Sequence, residues 1–206
     1  GLEPNYSVGI TEELMNARSL WLTPQTTTPY VHAEIDVKDG PVVLEIGTPV
    51  LGFVNDAFFR YVTDLGLVGA DKGKGGKYLL VGPDFEGEIP EGYFVTKTST
   101  YRHWALMRIA AKPGETKEAI EAFKKTFKIY PLADANNPKP NGFINLSNNR
   151  YNTIHANDAS FYDELNEVIQ YEPATAWDPE LVGQAGAIGI KKGQKFKPDD
   201  RMKKIL

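Results

Sequence analysis

The run Val31-His32-Ala33-Glu34-Ile35-Asp36-Val37 alternates apolar and polar residues without a break. A side-chain period of two sorts these classes onto opposite faces only if the backbone is extended. Asp39-Gly40 follows, a dipeptide that readily closes a tight hairpin, and Val42–Ile46 supplies the return strand. A half-buried hairpin needs a partner layer, so this one segment commits the surrounding chain to a β architecture.

Five further strand-like runs come at short intervals, at residues 50–54, 58–63, 77–81, 93–98 and 103–110. Turn clusters punctuate them: Gly69-Ala70-Asp71-Lys72-Gly73, Gly82-Pro83-Asp84 and Pro90-Glu91-Gly92. Short, regularly spaced strands without intervening helices predict an antiparallel β-sandwich over residues 26–112, not a doubly wound parallel sheet. Before it, Thr11-Glu12-Glu13 followed by Leu14, Ala17 and Trp21 predicts an N-terminal helical segment within residues 1–25. After it, residues 113–206 predict a small helical segment. Ala119, Ile120, Phe123 and Phe127 form one apolar stripe, Phe161, Leu165, Val168 and Ile169 another, and Asp178-Pro179-Glu180 opens a third helix. An Asn- and Pro-rich stretch at 131–152 reads as a long ordered loop. A last helix is expected from Pro198 through Ile205-Leu206, with the protein continuing beyond.

Composition narrows the function. Net charge is −4 and the isoelectric point about 5.5, which speaks against a phosphate-binding nucleic-acid surface. The absence of cysteine removes disulfides, thiolate nucleophiles and iron–sulfur ligation. No run approaches the roughly 18 apolar residues of a membrane span. Gly-x-Ser-x-Gly, His-Glu-x-x-His and dinucleotide fingerprints are missing.

The candidate chemistry lies on the strands. His32, Glu34 and Asp36 share one face of one strand and offer an imidazole and two carboxylates to a divalent metal. The alternative is a polar outer face, and the ~7 Å between alternate residues favours it. In Tyr101-Arg102-His103-Trp104, alternation groups Arg102 and Trp104 with Leu106 and Arg108. Cations beside an indole suit an anion or a sugar, or an Arg stem simply packed along the ring. Arg60 sits in an aromatic run between Asp56 and Asp64, where a structural ion pair is expected. His155 and Asp158 flank a helix start, as a base and its orienting carboxylate or as local capping groups. The block Asp71-Lys72-Gly73-Lys74-Gly75-Gly76-Lys77 feeds a strand, not a helix, and so reads as a hairpin tip rather than a phosphate loop.

Several blocks carry a resemblance. Gly40-Pro41-Val42-Val43-Leu44-Glu45, the glycine-lysine block continuing through Tyr78-Leu79-Leu80, and Pro90-Glu91-Gly92-Tyr93 resemble the domain of unknown function 1254. Ile129-Tyr130-Pro131-Leu132, Ala159-Ser160-Phe161 and Ile188-Gly189-Ile190-Lys191-Lys192-Gly193 resemble the region that follows it in longer members. The resemblance implies a β-sandwich followed by a helical segment. It also implies a C-terminal β-rich partner domain, of unknown function 1214, and a periplasmic or secreted location. It implies no catalytic residues. Two functional classes follow. One is a small-ligand binder or hydrolytic enzyme, with a site on the sandwich face or between domains. That site would gather His32, Arg60, Arg102, His103 and Trp104, with a divalent metal as a possible cofactor. The other is a non-catalytic assembly module, including a homo-oligomer.

Overall fold

A computed structural model describes residues 2–21, 24–150 and 152–206. The chain divides into two compact units, residues 1–153 and 154–206. The first is a two-sheet sandwich. Its strands are β1 (Ser7–Ile10), β2 (Tyr30–Asp36), β3 (Val42–Ile46), β4 (Val50–Asp56), β5 (Tyr61–Gly66), β6 (Gly76–Val81), β7 (Phe94–Lys97), β8 (Arg102–Ile109), β9 (Lys128–Pro131) and β10 (Gly142–Asn145). Helix α1 (Thr116–Thr126) interrupts them. A six-stranded sheet runs β10-β1-β2-β8-β4-β5 and a four-stranded sheet runs β7-β6-β3-β9.

The predicted sandwich is present, with one difference: each sheet has a parallel pair at one edge, β1 with β10 and β6 with β7. The alternation works as expected. Val31, Ala33 and Ile35 of β2 point inward with Ala105 and Met107 of β8 and meet Val42, Leu44 and Ile46 of β3, all essentially unexposed. Ile120 and Phe123 of α1, with Phe127, pack into the same core. At ~25 cal/mol per Å2 of apolar area, this core is the main stabilising term.

Three expectations for the first unit are corrected. Residues 11–21 are turns rather than helix. Thr11 accepts the Tyr30 N–H through Oγ1 at 2.8 Å and donates its own N–H to Tyr30 O at 2.9 Å, prolonging the strand pairing instead of capping a helix. The strand expected at 58–63 starts at Tyr61, because the Asp56 carboxylate accepts the N–H groups of Phe58 and Arg60 at 2.8 and 2.9 Å and closes a loop there. The Asn- and Pro-rich stretch contains β10, whose partner β1 lies over 130 residues away in sequence.

The glycine-lysine block folds around buried Asp71 and Tyr78. The tyrosine hydroxyl donates to the Asp71 carboxylate and accepts from the Gly66 and Asp71 N–H groups, and the carboxylate accepts from Gly75. Gly75 adopts a φ of 82°, and a Cβ there would meet Ile46 O at 2.7 Å, so only glycine fits.

The second unit carries α2 (Phe161–Tyr171) and α3 (Pro179–Ala187), both as expected, and a short 3-10 turn at Met202–Lys204 in place of the last helix. The Asp158 carboxylate accepts from the Ser160 N–H and hydroxyl ahead of α2, and these bonds hold its pKa below the ordinary value.

Candidate functional site: the aromatic outer face of the six-stranded sheet

The two sheets treat their outer faces differently. On the four-stranded sheet, Val43, Leu79, Val81 and Tyr130 are buried beneath Phe85, Ile89, Tyr93 and Leu132. On the six-stranded sheet, β2, β8 and β4 lie side by side and turn His32, Trp104 and Phe53 outward. Their rings join into a row. Tyr30 and Trp21 have centroids 5.6 Å apart, Trp21 and His32 6.0 Å, His32 and Trp104 6.1 Å, and Trp104 and Phe53 5.5 Å. Phe59 adds a tilted contact on Trp104 at 5.0 Å. The first four contacts are edge-on, the arrangement that ring quadrupoles favour.

Polar groups border the row. Strand register places Glu34 on one side of Trp104 and Asn55 on the other. Asp36 pairs with Arg102 at 3.9 Å, and the Arg108 guanidinium lies 5.4 Å above the Tyr30 ring. Burial pushes the Glu34 carboxyl up, against the pull of Arg102. Burial also pushes His32 down to about 4, so its imidazole is neutral at pH 7. The Trp104 indole N–H is buried with no hydrogen-bond acceptor among the described residues. An orphaned donor of this kind costs about 1–3 kcal/mol and calls for an explanation.

Phe59 is the exposed member, at 61%. It occupies the tip of the β4–β5 hairpin with a φ of 61°, the left-handed region that favours glycine or asparagine. The loop is held by Asp56, which takes the Phe58 and Arg60 N–H groups on one oxygen and Arg60 Nε at 2.7 Å on the other.

The residues singled out from sequence fall in three places. His32, Arg102 and Trp104 share the outer face. Arg60 belongs to the hairpin tip, bound to Asp56 and reaching Ser99 at 3.3 Å. His103 points inward, 3.2 Å from Thr100 Oγ1, and burial pushes it down to about 4 while Asp56 opposes the shift. The sheet therefore separates His103 from His32. His32, Glu34 and Asp36 do share a face, but Asp36 already holds the Lys38 N–H at 3.0 Å and faces Arg102. Among the described residues no three His, Asp or Glu side chains stand close enough to hold one ion, which corrects the metal expectation for that triad. His155 is exposed and lies 3.4 Å from Glu164.

A family model described as protein of unknown function DUF1254 matches residues 6–131. The chain belongs to this family. The match spans every strand from β1 to β9, so the aromatic face lies within the part that defines a DUF1254 protein. The fold is similar to the crystal structure of the VPA0106 protein from Vibrio parahaemolyticus, with a TM-score of 0.65 at 15% identity over 89% of this chain. The chain spans less than half, 46%, of that structure's length. No curated protein matches it. No helix among the described residues is long and apolar enough to cross a membrane.

A recess of about 330 Å3 elsewhere on this DUF1254 chain is lined by Glu45, Lys77, Lys125, Thr126 and Lys128. Glu45 faces Lys128 at 3.9 Å and accepts from Tyr130 at 3.2 Å, so part of its positive charge is already answered. The aromatic face carries the stronger case. It combines a shifted histidine, an orphaned donor and a strained residue, the features that mark functional sites.

Sequence reasoning missed Trp21, Phe53 and Phe59. Phe53 was legible as a strand residue, but its place beside Trp104 follows only from β4 pairing with β8 across some 50 residues. No sequence signal announced the left-handed Phe59.

Proposed function

We propose that this protein binds a small ligand on the outer face of the six-stranded sheet. The orphaned indole N–H of Trp104, within a row of rings that ends at the exposed Phe59, carries this reading. A face that served only stability would have its donors paired. Neutral His32 and the uptilted Glu34 pKa suit a water-poor surface where polar contacts to a ligand gain strength. Two-dimensional NMR with a library of ring-bearing fragments tests it. Fragments should shift the Trp104 indole resonance and those of neighbouring β2 and β4 amides. Hits that all map elsewhere sink the reading.

A second reading is assembly through the helical unit. Leu181 and Val182 stand next to each other on α3, each 48% exposed, an apolar spot that a second copy of the chain would cover. Light scattering on the wild type and on Leu181→Ser decides it. A monomer at high concentration removes this reading.

A further inference from the structure

We infer that the ligand of the aromatic face is an uncharged saccharide, seated on Trp104 once Phe59 swings aside; this rests on the small-ligand reading above.

Charge makes the first selection. The border holds two carboxylates, Glu34 and Asp36, and two guanidiniums, Arg102 and Arg108. An anion or a cation would meet as many like charges as opposite ones. A neutral polyol suits such a border, because each hydroxyl both donates and accepts and can bridge a carboxylate and a guanidinium at once.

Shape makes the second. The C–H faces of a pyranose ring rest on aromatic surfaces, and its hydroxyls leave the ring edge where Glu34 and Asn55 flank the indole. The Trp104 N–H wants an acceptor, and a sugar oxygen supplies one.

Access makes the third. Phe59 lies 5.0 Å from the indole and is the most exposed ring of the row. It stands at a loop tip in a conformation that disfavours a side chain. It is therefore the ring that moves at least cost, whereas Tyr30 and His32 are almost wholly buried. Displacing it trades one ring face on Trp104 for another.

Calorimetry and tryptophan fluorescence against cellotriose, maltotriose and triacetylchitotriose test the proposal, with trigalacturonate and a glucosamine trimer as charged contrasts. At least one neutral trisaccharide should bind, and the charged trimers should bind more weakly than it. Trp104→Phe keeps a ring but removes the donor, so it should weaken binding about tenfold in a protein that still shows a cooperative melt. Phe59→Ala should bind at least as tightly as the wild type. Neutral sugar binding that is indifferent to Trp104→Phe overturns the proposal. So does preference for a charged trimer, or fragment binding at Trp104 with no response to any neutral sugar; in both of those cases the small-ligand reading survives. If neither fragments nor sugars touch Trp104, both fall.

Discussion

The two outer faces of the sandwich are built from similar material and finished differently. Each carries large apolar or aromatic side chains at alternate strand positions. On the four-stranded sheet the chain returns across that face, so Leu79 and Tyr130 are buried under Phe85, Tyr93 and Leu132. On the six-stranded sheet Trp21 lies against the buried Tyr30 and His32, but Leu51 is 41% and Phe59 61% exposed. A sheet face that is apolar and left partly exposed must either be tolerated or be used. The difference shows which surface of this fold is held for stability and which is held open.

The largest effect should come from the covered face. Leu79→Ala removes a wholly buried side chain beside Val43 and should cost about 2–5 kcal/mol in urea unfolding. Leu51→Ala, on the open face, should stay within about 1 kcal/mol of the wild type. Equal losses would erase the distinction between the faces.

Acid should sharpen it. His32 on the open face and His103 on the inner face both stand near 4 when folded, against an ordinary 6.5. The unfolded chain thus binds more protons between these values, and stability falls as pH drops from about 6.5 to 4. Each histidine contributes up to about 3 kcal/mol of that loss. Glu34, with its raised pKa, takes up a proton in the folded state first and offsets a part. His32→Phe should remove roughly half of the acid sensitivity measured by unfolding at pH 7 and pH 4.5. An unchanged pH slope would mean that His32 is as accessible to protons as any surface histidine.

How much of this was legible depends on the range of the interactions involved. Strands β2, β3, β4, β6 and β8 were readable because alternation and turn chemistry are local. Strands β1 and β10 were not. Each is four residues long, and each is held by strands distant in sequence, β10 by β1 and β1 by β2 and β10. The helix expected from Thr11 failed for the same reason: a hydroxyl suited to capping was claimed by Tyr30, a residue distant in sequence. Of the site, alternation correctly joined Arg102 to Trp104 and His32 to Glu34. It could not show that these two groups would be neighbours, since that needs the β2–β8 register. Nor could it show that Asp56 would fold the following residues into a loop presenting Phe59.

The smallest effect concerns that loop and separates geometry from contact. Phe59→Ala and Phe59→Gly both remove the ring from Trp104, so they lose the same packing. They differ only at the backbone. Alanine keeps the left-handed strain at a φ of 61°, whereas glycine relieves it. Phe59→Gly should therefore be more stable than Phe59→Ala by about 1 kcal/mol in paired melts. A difference near zero would show that the loop relaxes out of the left-handed conformation once the ring is gone. In that event the indole contact, and not the Asp56 turn, holds Phe59 in place, and the open face organises its own rim.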